Sequence, residues 1–531
     1  MTDILLPVSI DVASVSFRVM DSVGVSRNPL TGAVRTASRG GDKLGATIEY
    51  SPTGGMSATA KQKQRILRAH VAQIMRSNRC YLYDPGYSPQ GSFPATELFT
   101  NSDLNGVTGW TVQAGTLSAG DRNLRVTPSA SSGSQPGVYQ SVSLTQYVPY
   151  AVRSMAGLVT SRASNLSPFY SDGVVGASSA STGMALRRIA FVPPSTGSVN
   201  LFPIYNSDAA WDISDAIDLH FASASRCLIA DASPNNLTFS DQIDNAAWTK
   251  SGILSTAANS SSQTDPWGTT TAEKITENTS NVQHYVLQSG PTVATVADYC
   301  GVIYARRDTL ARDVMVTVGT TGSGHYGQCT FDLGAGTAGS AVVGGSATNA
   351  RAYIKALGNS WYACYVVVRL PTAATRADVQ ANMISGGAST YTGTTGTLML
   401  VRGGVSQSSL PFLPGLTTTV GASGTSQSGS RLFVKGGPAS VSGSLAMGDW
   451  IEVTTSLGPQ LTMVTASVDF DAAMLGVINV SPAIRGTVAD GAAIIVNRPM
   501  GRFIPSQGGE WRNDPGIFTM ATAVEFEEAP A

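Results

Sequence analysis

A protein that grips a sugar needs flat apolar rings for the C–H faces of the pyranose and amide or carboxyl groups beside them for the hydroxyls. Five aromatic residues stand in polar, turn-rich stretches that would offer a ring to solvent: Tyr170, Trp211, Trp267, Tyr326 and Tyr391. They are the candidate carbohydrate-binding residues. Trp110, Trp248 and Trp361 sit in strand-like contexts and read as core.

Other chemistry finds little support in the spacing of residues. Gly322-Ser-Gly-His-Tyr-Gly327 matches a dinucleotide fingerprint letter by letter. Such a loop must open a helix so that backbone N–H groups meet the phosphates. Here the strand-like Gln328-Cys-Thr-Phe331 follows, so a hairpin turn is expected. His70, His220, His284 and His325 are scattered, and His325 with Cys329 is a lone pair, short of a metal site. Asp469/Asp471 and Glu525/Glu527/Glu528 could be imagined as a glycosidase pair. The first lies at a strand-to-turn junction and the second in a solvated tail, so no catalytic residue is expected and the chain is not read as an enzyme. Asp103-Leu-Asn105-Gly106 and Asp208, Asp212 and Asp215 offer three or four oxygens per site. A calcium ion takes ~6–8, so these read as turn and cap residues, and no cofactor is expected. The five cysteines, Cys80, Cys227, Cys300, Cys329 and Cys364, are odd in number and form no CxxC pair. They read as small buried apolar residues.

The composition bounds the partners and the fold class. Lys+Arg is 34 and Asp+Glu 35 in 531 residues, a net charge of −1. That balance argues against nucleic-acid binding and against a polybasic membrane-surface binder. With 13% charged residues, 56 Gly and 26 Pro, the chain reads as mainly β, built from several sandwiches or barrels. The N-terminus lacks a basic region before its apolar stretch, and no run approaches 18 apolar residues. Neither a secretory signal nor a transmembrane helix is therefore expected, and synthesis in a cytoplasm without a signal peptide is.

Four units follow from the breaks in the chain. Residues 1–84 combine strands with a helix at 57–77, where Ile66, Leu67, Val71 and Ile74 form an apolar stripe with basic residues on the other faces. Residues 95–230 and 235–415 look alike. Trp110 aligns with Trp248 at an offset of 138 and Tyr150 with Tyr299 at 149, so a loop insertion of 11 residues separates the two matches. Short alternating strands in both suit an antiparallel β-sandwich. Residues 431–531 hold five or six short strands and suit a small β-barrel. The first unit is too small for a core of its own, so it is expected to pack with the barrel as one discontinuous platform. The two sandwiches would then be insertions, which closure entropy tolerates well.

Asn235-Asn-Leu-Thr-Phe239, Ala246-Ala-Trp-Thr-Lys250, Pro266-Trp-Gly268 and Thr271-Ala-Glu-Lys-Ile275 resemble the jelly-roll carbohydrate-binding modules embedded in phage tail proteins. The first copy retains Leu98-Phe99 and Trp110-Thr111. The C-terminal stretch from Leu432 to Phe503 is similar to the barrel of phage tail-tip proteins. The whole layout resembles an evolved distal tail protein. That resemblance implies a virion protein at the tail tip, a hexameric ring between tail tube and tip hub, and two modules that meet a host-surface polysaccharide. It also allows a structural calcium on a module loop. A trimeric receptor-binding fibre or decoration protein, and a tail-borne polysaccharide depolymerase, are the alternatives. Heptads or triple β-helix repeats would favour the fibre, and the sequence has neither.

Overall fold

Alternation of apolar and polar residues at a period of two dictates strands throughout. Leu475–Val488 is the longest example, with Ile478, Val480, Ile484 and Val488 all turned to one core. In a computed structural model the described residues are six strands within 4–54, residues 80–84, residues 87–506 apart from short breaks, and 519–520 and 523–528. The breaks are 121–122, 130–134, 160–163, 171–173, 176–178, 182–183, 207–215, 261–263, 309–311 and 415–426. The helix expected at 57–77, together with Trp211, Asp208, Asp212 and Asp215, lies outside the described residues. What is described is almost wholly β, with two short 3-10 turns.

The two ends of the chain share one sheet. Its order is Ile4–Leu6, Cys80–Tyr83, Met500–Pro505, Ala523–Glu528, Lys43–Tyr50 and Val12–Met20, with only the first pair parallel. Leu44, Ala46, Ile48, Leu82, Phe503 and Phe526 form its core, and Leu461 of the neighbouring barrel joins them. The barrel is closed by six strands: Leu228–Ala230, Gln427–Lys435, Leu475–Val488, Gly458–Val464, Trp450–Thr455 and Ala493–Ile495. This differs from a barrel made of 431–531 alone. The strands after residue 500 leave for the end-to-end sheet, and Leu228–Ala230 enters from the junction between the sandwiches. All three of its residues are buried, because it fills the gap between Gln427–Lys435 and Ala493–Ile495.

The two sandwiches have the same strand order. In the first, one sheet runs Ala185–Phe191, Tyr150–Leu158, Ile217–Arg226, Leu124–Pro128, Gly115–Ala119. The second copy matches it with Trp361–Leu370, Ala297–Arg307, Thr397–Ser406, Glu273–Glu277, Ile253–Ala257, and adds Thr348–Gly358 at the edge. The facing sheets match likewise, from Thr111–Gln113 and Trp248–Ser251 inwards. The likeness extends to single bonds. The indoles of Trp110 and Trp248 each donate to the carbonyl nine residues earlier, that of Asn101 and that of Phe239. Both central strands carry a bulge, between Met155 and Ala156 in one and Tyr304 and Ala305 in the other, an offset of 149.

Trp110, Trp248 and Trp361 are buried, at 8%, 1% and 0% exposure. All five cysteines are free and buried. Residues 321–324 form the expected turn, and His325, Tyr326 and Gly327 already belong to the strand His325–Asp332 paired with Asp313–Thr320.

Candidate carbohydrate-binding site

Of the described aromatic candidates, Trp267 stands apart. Its ring is 50% exposed at the rim of a pocket of about 600 Å3 in the second sandwich. It lies on the connection between Ile253–Ala257 and Glu273–Glu277. One side of the ring is backed by Tyr304, with centroids 5.9 Å apart and planes 24° from parallel. The Arg402 guanidinium lies 4.3 Å from the ring centroid, close enough for cation–π attraction. Arg402 is itself fixed, since its Nε donates to Asp241 Oδ1 at 2.7 Å and its Nη1 to the Pro414 carbonyl at 3.3 Å.

Asp265 shapes the turn that presents the indole. Its Oδ1 accepts the backbone N–H of Trp267 and of Thr269, each at 2.9 Å. Its Oδ2 accepts the hydroxyls of Thr269 and Thr271. Burial alone would raise this carboxyl, but these donors outweigh it and hold it below the usual carboxylate range. Gly268, at φ +82°, takes the chain through a left-handed turn directly after the indole. The Trp361 indole donates to the Thr264 carbonyl at 2.9 Å and anchors the start of the turn to the sheet.

Apart from Val401, the other lining residues are polar. Asp241, Asp244 and Glu273 supply carboxyl groups, and Gln242, Asn245 and Asn259 supply amides. Burial, and then the neighbouring Asp244, push the Glu273 carboxyl up to about 9. It is therefore neutral at pH 7. One flat ring beside carboxyl and amide groups has the chemistry to seat a pyranose, the ring against a C–H face and the amides against hydroxyls.

The other candidates fall elsewhere. Tyr170 is corrected: it is 1% exposed and stacks on Phe191 at 4.4 Å, so it is core rather than a platform. The period of two along Ser164–Tyr170 turns it inward with Leu166, whatever the polarity of the turn that follows. Tyr326 is half-buried on the sheet facing away from the pocket, in His325–Asp332. The Tyr391 hydroxyl donates to Glu277 Oε2 at 2.6 Å and its ring lies 4.7 Å from His284, which commits it to an internal network.

The candidate calcium turn is also committed. Asp103 pairs with Arg498 at 3.0 Å, and Asn101 uses its amide on Asn105 and Gly106. Among the described residues no three His, Cys, Asp or Glu side chains cluster as metal ligands. Asp469 accepts Gly443 N–H at 2.7 Å, and Asp471 pairs with Lys355 at 2.7 Å, so both do structural work.

No family model matches this chain, and no curated protein is significantly similar to it. Solved structures similar to it include the N-terminal CBM22-1–CBM22-2 tandem domain of Paenibacillus barcinonensis Xyn10C, at 12% identity and a TM-score of 0.23, covering 60% of this chain and 98% of its own. A carbohydrate-binding module of the β-sandwich superfamily, described for its promiscuous specificity, is 10% identical with a TM-score of 0.18, covering 60% and 99%. These low scores leave the functional reading to rest on the pocket around Trp267.

Proposed function

We propose that this chain is a non-catalytic glycan-binding protein whose second sandwich holds a sugar chain against Trp267. The observation that carries this is the half-exposed indole, backed by Tyr304 and Arg402 and set in a pocket of carboxyl and amide groups. Catalysis is not part of the reading. Glu273 lines the pocket and has the raised pKa of a general acid, but it is only 3% exposed. Against a panel of cello-, xylo-, manno- and chito-hexaose, the affinity for whichever binds falls about 30-fold or more in Trp267→Ala, the loss of an interface hot spot. Unchanged affinity in a folded Trp267→Ala protein refutes the site.

We further propose that the chain serves as a virion protein of a phage tail tip, with adhesion to host-surface polysaccharide as its task. The support is architectural: strands from both chain ends share one sheet beside a closed barrel, and two sandwiches are inserted between them. A ring-forming platform with outward modules has this plan. Negative-stain electron microscopy of the purified protein is expected to show six-fold rings; three-fold rods would favour the fibre.

A further inference from the structure

Strand pairing sets Met155 opposite Phe221 in the first sandwich and Tyr304 opposite Arg402 in the second. Each pair stands directly before the matching bulge, so these are the same two positions on a duplicated outer face. Their surroundings differ. Met155 and Phe221 are buried with Tyr81 and Met500 of the platform. The Tyr83 ring lies 5.7 Å from Phe221, and Arg153 on the same face reaches Glu452 of the barrel at 2.6 Å. In the second copy Tyr304 and Arg402 carry Trp267 instead. The aspartates that align at the offset of 138 divide in the same way: Asp103 pairs with Arg498 of the platform, and Asp241 with Arg402 beside the pocket.

The second sandwich also meets the barrel, through Tyr365 and Phe412 against Ala473 and Leu475. That contact leaves the Trp267 ring half exposed.

The element that separates the copies is one connection. It runs over 120–123 in the first sandwich and over 258–272 in the second, four residues against fifteen. The difference of eleven is the whole of the change in offset from 138 at the tryptophans to 149 at the tyrosines. The insertion contains Asp265, Trp267, Thr269 and Thr271, and it closes on itself through Ser260 N–H to the Ala272 carbonyl at 2.7 Å. A four-residue turn has no length to supply either the ring or the carboxylate that orients it.

We propose that ligand binding resides in the second sandwich alone and is conferred by the 258–272 insertion, while the first sandwich uses the equivalent face as its seat on the platform. This rests on the glycan reading above and goes beyond it: the chain is univalent, and one copy of a duplicated module has become structural. Isothermal titration of the full chain with cello-, xylo-, manno- and chito-hexaose decides it. One equivalent of sugar per chain, abolished by Trp267→Ala, is the expected result. Cutting the insertion to the four residues of 120–123 gives the same loss; should that variant unfold, Trp267→Ala and Asp265→Asn still decide the matter, each lowering affinity with an unchanged circular dichroism spectrum. Two equivalents per chain, or one that survives Trp267→Ala, overturns the assignment to the second sandwich and leaves glycan binding standing. No heat with any of the four sugars overturns both.

Discussion

Replacing Glu452 by alanine lowers the unfolding free energy by about 3–5 kcal/mol, the usual consequence of removing one partner of a buried ion pair. Glu452 lies on the barrel strand Trp450–Thr455 and is fully buried. Its Oε2 accepts from Arg153 Nη1 at 2.6 Å, across the joint to the first sandwich, and from Met500 N–H at 3.2 Å. The Arg188 guanidinium, 3.5 Å from Oε1, adds a second positive charge. Arg153 is 1% exposed and also donates to the carbonyls of Asn497 and Arg498. Without the carboxylate those neutral acceptors must hold a guanidinium cut off from water. The effect should be read in the first cooperative transition of urea unfolding. Glu452→Gln, which keeps an acceptor and loses the charge, should fall between wild type and alanine. A loss under about 1 kcal/mol, the range of an exposed pair, would show that the joint is wet and that the first sandwich is not seated through this contact.

The sequence exposed the duplication because tryptophan and tyrosine do the same packing task in both copies. Trp110 and Trp248 close the same hairpin-like entry through the same indole-to-carbonyl bond, so the letters survive where the rest has drifted. The gap between the two offsets even pointed to an insertion, although not to its position. The barrel's sixth strand was not legible. Leu228–Ala230 lies one residue beyond Ile217–Arg226, and nothing in three apolar residues there separates them from that strand. Only closure of the barrel assigns them elsewhere. Most of the pocket was hidden for a related reason. Asp241 and Asp244 come from a turn, Asp265 from the insertion, Glu273 and Arg402 from two strands, and it is the pairing of Glu273–Glu277 with Thr397–Ser406 that assembles them. The exposure of Trp267 was legible because it stands in a polar, turn-rich stretch. Tyr170 misled because the polarity of its neighbours says less about a strand residue than the face on which it falls.

Glu273 and Glu277 lie at the two ends of one five-residue strand and on the same face of it, with Ile275 in the core between them. Their carboxyls are shifted in opposite directions, which gives the second sandwich a stability maximum in pH. Burial would raise Glu277, but the Arg312 fork outweighs it, helped by Thr394 N–H, the Tyr391 hydroxyl and Gly396 N–H, and the group is held at about 2. An unfolded glutamate titrates at about 4.3. The stability Glu277 contributes is thus fully present above pH ~4.3 and is lost as pH falls toward ~2. Glu273, raised to about 9 by burial and by Asp244, behaves in reverse. Its contribution is fully present below pH ~4.3 and is lost as pH rises through ~9. Unfolding followed by urea from pH 2 to 10 should therefore show a limb on each side. Glu273→Gln should flatten the alkaline limb and leave the acid one. Glu277→Ala should lose the acid limb and cost about 3–5 kcal/mol at pH 7, because Arg312, with its side chain 10% exposed, is left without its counter-charge. If Glu273→Gln leaves the alkaline limb as steep as in wild type, Glu273 already carries its charge at neutral pH and the pocket is more acidic than the geometry requires.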